Sequence, residues 1–410
     1  MRRRLSLLGA AAALAAAALL FAGLHETGSG TAGAGVRELP PAPRDASSWA
    51  RLGLSYEQKA RETADPSYYT KAEGALRRAL RLDRHDLAAT TGFGSLALSR
   101  HRFREALGYG RRAQRLAPSS AAPYAVVGDA LVELGRYDEA FRAFDTLARL
   151  KPGLTAYARV AYGRELVGDT TGAIQAMRLA AETAAGREPA AWTHWQLGKL
   201  YWSVGRSTEA ASEYRAALTV LPGYVYALDA LAQVEAGRGR VTRAISLERR
   251  AVDRVPLPQF VSVLGDLYRR AGRPRDARRQ DGLVTVIERL LAANGVRTDL
   301  ETALYRADRG IRPEETVALA RLARRDRPSI DGDDALAWAL FRGGRCDDAL
   351  TYSQRSLRLG TRDALKFFHR GMIERCLGRR AAARAWFRRA LALNPGFSVR
   401  WAAVARKELG

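Results

Sequence analysis

Several residue types are scarce in this chain of 410 residues, and each scarcity narrows the function. There are two cysteines, Cys346 and Cys376, thirty residues apart, and they do not make a zinc site. The five histidines, at 25, 85, 101, 194 and 369, have no metal-ligand spacing. No metal or cofactor is expected. Asparagine occurs only at 294 and 394, and of 67 basic residues six are Lys, so Arg carries the positive charge. With abundant Ala, this composition points to a GC-rich bacterial genome. No P-loop, nucleophile elbow or pair of catalytic acids is present, and no enzyme activity is expected. Gly92-Phe93-Gly94-Ser95-Leu96-Ala97 matches the loose form of a dinucleotide fingerprint. That motif needs a preceding strand, and these residues fall inside a helical pattern.

Regular punctuation is what the chain does have. Pro118, Pro152, Pro222, Pro256 and Pro395 each end a segment of one design, repeated about every 34 residues. The clearest copy runs from Ala191 to Tyr224, with Leu197, Gly198 and Tyr201 at positions 7, 8 and 11, Gly205 at 15, Ala210 at 20, Tyr214 at 24, Ala217 at 27 and Pro222 at 32. Small residues at 8, 20 and 27 let two helices approach, and large apolar residues at 7, 11 and 24 fill the space beside them. Gly at 15 ends the first helix and Pro at 32 ends the second. One such hairpin cannot bury its apolar face alone, so neighbours must stack.

This pattern resembles the tetratricopeptide repeat, a helix–turn–helix unit of that period. Copies in the same register begin at 53, 87, 121, 154, 191, 225, 258, 330 and 364, and a degenerate one at 296 has its second helix shifted to follow Pro313. The resemblance implies an all-α solenoid of about ten hairpins, wound as a right-handed superhelix over residues 49–397 and closed by a capping helix at 398–410. In the family, first-helix positions 2, 5, 9 and 12 line the concave groove. Those positions give Trp192, Trp195, Lys199 and Trp202 in one copy, with Tyr162 and Tyr226 from its neighbours. Trp338, Phe341 and Phe368 form a second aromatic group. Trp and Tyr dominate interface energetics, so these residues are candidates for partner binding. Packing between repeats is the competing reading for Trp195 and Trp202, while Trp192 is expected to be exposed. Some family members grip a terminal carboxylate through an Asn/Lys/Arg clamp. Neither Asn294 nor Asn394 falls on a groove position, which argues against that use.

The chain opens with Arg2, Arg3 and Arg4 before a charge-free run from Leu5 to Leu24. This is the layout of a signal peptide, with the region around Ala22–Gly23 as the candidate cleavage site, or of an uncleaved membrane anchor. Residues 25–48, rich in Gly, Pro, Ser and Ala, read as a flexible linker. The remainder is expected outside the cytoplasmic membrane, extracellular or on its outer face. There the two cysteines, at neighbouring helix ends, are candidates for a disulfide; two small buried apolar groups are the alternative. The run Asp331-Gly332-Asp333-Asp334 lacks the spacing of an EF-hand and is expected to cap a helix start. The formal net charge is +24, concentrated in Arg-rich stretches at 101–115, 269–279, 321–327 and 379–389. The leading expectation is a scaffold binding a protein or peptide in its groove at the cell envelope. The alternative is an envelope binder of anionic polymer or lipid through its Arg faces. Nucleic acid is disfavoured by the export signal.

Overall fold

A computed structural model describes residues 44–410. The expected signal or anchor at 1–24 and nearly all of the linker lie outside the described residues; residues 46–48, placed in the linker by composition, already belong to the first helix.

Twenty-one helices and no strands are found among the described residues. Twenty of them form ten consecutive antiparallel hairpins. The first three are α1 (Ala46–Thr63) with α2 (Ser67–Leu82), α3 (Leu87–Ser99) with α4 (Phe103–Leu116), and α5 (Ala122–Glu133) with α6 (Tyr137–Leu150). The next three are α7 (Leu154–Leu166) with α8 (Thr170–Glu182), α9 (Arg187–Ser203) with α10 (Ser207–Val220), and α11 (Val225–Gly237) with α12 (Val241–Arg254). The last four are α13 (Pro258–Arg270) with α14 (Pro274–Ala293), α15 (Asp299–Arg309) with α16 (Pro313–Asp326), α17 (Ile330–Arg342) with α18 (Cys346–Ser356), and α19 (Ala364–Cys376) with α20 (Arg380–Leu393). A six-residue helix, α21 (Ala402–Lys407), closes the chain. The fingerprint-like Gly92–Ala97 stretch lies within α3.

The position-8 glycines explain how the third, fifth and tenth hairpins close. The aromatic at position 24 lies directly on the glycine of its own first helix: Phe144 on Gly128, Tyr214 on Gly198, Phe387 on Gly371. A Cβ at any of the three would collide with the ring. The rings are almost wholly buried, each contributing roughly 1.5–3 kcal/mol of apolar burial. Gly205 and its counterparts at position 15 have positive φ, +75° at Gly205, which reverses the chain between the helices. In the second hairpin His101 occupies that left-handed position, with φ +56°.

The winding is tight. After a little under six hairpins the chain meets itself, and turns 192–196 residues apart join along a regular seam. The turn inside the second hairpin meets the start of the eighth: His101 Nδ1 donates to the Arg297 carbonyl at 2.7 Å, and Arg102 donates to the Gly295 carbonyl at 3.3 Å. One repeat further along, the Ile330 amide donates to the Tyr137 hydroxyl at 2.7 Å. The next step places Thr361 Oγ1 on the Leu166 carbonyl. The last places Asn394 Nδ2 on the Trp202 carbonyl at 2.7 Å.

The same winding brings inner faces together across the superhelix axis. Gln58 of the first hairpin reaches Glu188 of the fifth at 3.5 Å. One apolar core runs from Ala50, Tyr69 and Leu76 through Trp192, Trp195 and Leu228 to Leu291.

Candidate functional site: the inner face

Family positions 2, 5, 9 and 12 of the first helices point inward, but the tight winding covers most of them. Trp192, expected to be exposed, is 5 % accessible, and Trp195 is 6 %. The correction has a physical cause: with hairpin one lying across the axis from hairpins five and six, these indoles fill the interior. Trp195 packs on Tyr226, ring centroids 5.0 Å apart, and Tyr226 meets Phe260 edge-on at 5.7 Å. Tyr162 is buried as well. Trp202 is half-buried, its ring over Gly237 and Gly396, so it closes the seam.

The C-terminal aromatic group is core in the same sense. Trp338 and Phe368 are completely buried, and only Phe341 of the three is partly accessible. Trp338 stacks on His369 at 4.1 Å and on Phe341 at 4.9 Å. Of the sequence candidates, Lys199, Trp202, Tyr226 and Phe341 keep partial access.

Tyr162, Glu165, Met177, Gln196 and Lys199 line a small, partly open cleft with room for roughly one water molecule. The Lys199 ammonium also lies over the Trp195 ring at 5.0 Å. Burial lowers the Lys199 pKa, opposed by the Glu165 charge; burial raises that of Glu165, opposed by Lys199. The Gln196 side-chain nitrogen Nε2 is buried and makes no hydrogen bond within the protein. The arrangement places a cation and an amide donor beside an aromatic ring, with room for a water or a single acceptor atom.

The acidic run at 331–334 does not cap. Ser329 is the N-cap of α17, accepting from the Gly332 amide at 3.3 Å. Asp331 instead receives Lys366 at 2.6 Å, Asp333 receives Arg324 and Arg358, and Asp334 faces His369 at 3.0 Å. Asp331 and Asp333 nevertheless stand in the first turn of α17, where negative charge complements the helix dipole as expected. No cluster of His, Cys, Asp or Glu suited to a metal ion is found among the described residues.

Cys346, opening α18, and Cys376, closing α19, are joined in a disulfide with Cα atoms 6.2 Å apart. Among the described residues no helix is long and apolar enough to cross a membrane. Many arginines are paired within the protein, although pairing leaves the net charge of +24 unchanged: Arg104 and Arg297 both pair with Asp326, Arg273 and Arg279 with Asp276, and Arg327 with Glu133 and Glu301. Arg380, Arg384 and Arg388 remain as an exposed row at four-residue spacing along α20.

Two groups of contacts were not legible in the residues: the seam, and the placement of Arg400 and Trp401 inside the superhelix. Both depend on the rise and rotation per repeat, which no single motif carries.

Comparison with known proteins agrees with the repeat fold. The tetratricopeptide repeat family matches at residues 67–121, 196–257 and 335–396. No curated protein matches the chain. Among solved structures, the human IFIT1 dimer with PPP-AAAA is similar at a TM-score of 0.51 and 15% identity, covering 77% of this chain and 73% of that one. A chain of the APC/C hetero-tetramer Cut9–Hcn1 aligns at 0.41 and 16%, covering 89% and 76%. YrrB, described as a TPR protein with an unusual peptide-binding site, aligns at 0.31 and 21%, covering 44% and 93%. No enzyme family is indicated. The matched stretches are tetratricopeptide repeats, and the chain folds as a solenoid of that kind.

Proposed function

We propose that the chain is an exported scaffold that holds a protein or peptide partner against its inner face at the cell envelope. The observation that carries the reading is the inner wall itself. Lys199 and Tyr226 keep partial access on either side of Trp195, on which both pack, and aromatic side chains are enriched where proteins bind one another. Export is supported by the basic start and apolar run of residues 2–24 and by the Cys346–Cys376 disulfide, a bond that persists in oxidising compartments.

The test is affinity capture from envelope extract with wild-type protein, a Lys199→Glu/Tyr226→Ala variant and an Arg380→Glu/Arg384→Glu/Arg388→Glu variant, at low and high salt. A partner lost only with the inner-face variant and retained at high salt supports the proposal. Loss only with the α20 variant, and at high salt, would favour the second reading, an anionic envelope polymer or lipid bound through the exposed Arg row. A reporter fused after residue 48 should be translocated; activity confined to the cytosol would overturn the localisation.

A further inference from the structure

α14 is the longest helix among the described residues, with 20 residues against 11 to 16 for the other second helices. Its inner side is fixed by Ala277, Val284, Ile287 and Leu291, all buried. Its outer side carries Arg275, Arg278, Arg279, Val286, Arg289 and Leu290, all exposed. At 3.6 residues per turn these six fall within roughly a third of the circumference and form one continuous strip.

Two features set the strip apart. It exposes large apolar side chains: Val286 is 51 % accessible and Leu290, one turn later, 40 %. No other helix among the described residues exposes two such side chains. The strip is also cationic, with no acid on it. Arg279 pairs with Asp276, whereas Arg275, Arg278 and Arg289 make no ion pair. The three acids of α14 are half-buried and engaged elsewhere: Asp276 also holds Arg273, Asp281 holds Arg269 and Arg309, and Glu288 accepts from the Thr302 hydroxyl at 2.8 Å. Beyond the C-terminal end of the helix, the seam adds Arg104 and Arg297, which share the one carboxylate of Asp326.

An apolar pair flanked by unpaired cations suits a helix lying at the surface of an anionic bilayer, where apolar side chains enter the acyl boundary and cations meet the phosphates. The Arg row of α20 lacks the apolar part: between Arg380, Arg384 and Arg388 its exposed residues are Ala381 and Ala385. A soluble polyanion would be drawn by the arginines of either helix and would leave Val286 and Leu290 in water.

We propose that the outer strip of α14 docks on a bilayer of anionic phospholipid, with Val286 and Leu290 at the acyl boundary and the four arginines on the phosphates. This contact goes beyond the scaffold reading. It uses the outer side of the superhelix and leaves the inner face to a partner.

The test uses the full chain carrying one environment-sensitive fluorophore, on Leu290→Cys or on Leu179→Cys, an exposed leucine of α8 that serves as reference. The Cys346–Cys376 bridge leaves the introduced thiol as the one to label. The reference is needed because the apolar run 5–24 can itself hold the chain to a vesicle. Vesicles of equal parts phosphatidylglycerol and phosphatidylcholine carry a lipid-borne quencher. Quenching at Leu290 should exceed that at Leu179 at least roughly three-fold. It should fall to the Leu179 level with phosphatidylcholine alone, at high salt, or when Arg275→Glu/Arg278→Glu/Arg289→Glu is added. Every substituted side chain is exposed, so thermal unfolding of the variants should match wild type. Equal quenching at the two sites, or none at either, overturns the proposal. Binding of soluble polyphosphate that needs the same arginines, without quenching at Leu290, would overturn it in favour of a polyanion. Capture of a partner through Lys199 and Tyr226 is unaffected by either failure, so the scaffold reading stands or falls separately.

Discussion

Arg327 and Glu133, 194 residues apart in sequence, form a buried ion pair in which Arg327 Nη2 donates to Glu133 Oε1 at 3.0 Å while Nε engages the second oxygen. Arg327 also donates to Glu301 at 3.0 Å. Burial pushes the Glu133 carboxyl up and the guanidinium pulls it back; neighbouring carboxylates hold Arg327 fully charged. The pair sits at the midpoint of the seam. Replacing Arg327 by Ala strands a buried carboxylate and should cost about 3–5 kcal/mol in denaturant unfolding, against about 1 kcal/mol or less for Ala at an exposed pair such as Arg312–Glu315.

Position 24 of the sixth hairpin, an aromatic in the third, fifth and tenth, is Glu248, which is fully buried and faces Asp229. Burial raises the Asp229 carboxyl to about 7, opposed by its hydrogen bond from Gln233, and raises Glu248 well above its ordinary value through burial and the Asp229 charge. Both folded-state values lie above the unfolded ones. The pair's contribution to stability is therefore complete below pH ~4 and is lost as pH rises through about 7. Glu248→Gln should be near neutral at pH 5 and stabilising by on the order of 1–2 kcal/mol at pH 8, since a tenfold change in proton affinity between the folded and unfolded chain is worth about 1.4 kcal/mol. Urea midpoints across that range measure it; an unchanged pH slope would contradict the assignment.

Gly198→Ala tests the close approach inside a hairpin. Its methyl meets the Tyr214 ring, which is locked by packing, so overpacking should cost about 1–3 kcal/mol. Gly74→Ala, where nothing lies within 4 Å, should be neutral or slightly stabilising. Thermal melts of the two variants provide the comparison.

The Cys346–Cys376 bridge closes a separation of 30 residues. Loop closure predicts that its removal by Cys346→Ser/Cys376→Ser costs about 3–4 kcal/mol. Thiol titration of the denatured, unreduced protein should find no thiol; two titrating thiols would show that the bridge does not form.

The repeat was legible because each hairpin is a local object. Gly198, Tyr214 and Pro222 act within one 34-residue unit, and their spacing survives in the sequence. The long second helix of the seventh hairpin and the start of α16 at Pro313 could be read for the same reason. The state of the groove could not. Whether Trp192 faces solvent depends on how far the superhelix closes, and that is set by small rotations summed over several hairpins. The left-handed His101 was a local sign of the seam: a side chain stands where the hairpins from the third to the tenth have glycine, and its ring nitrogen holds a carbonyl 196 residues away. The tail was equally hidden, because Arg400 and Trp401 look like ordinary residues of a capping helix until Asp266 and Asp308 are brought beside them.

Closure of the superhelix on itself is the claim on which the rest depends, and a double-mutant cycle of Glu133→Gln and Arg327→Met tests it most directly. The two residues belong to the third and eighth hairpins, which touch only if the second turn lies on the first. Measured by denaturant unfolding at neutral pH, the cycle should give a coupling of about 2 kcal/mol or more; effects that add to within about 0.5 kcal/mol would show that the turns are not in contact.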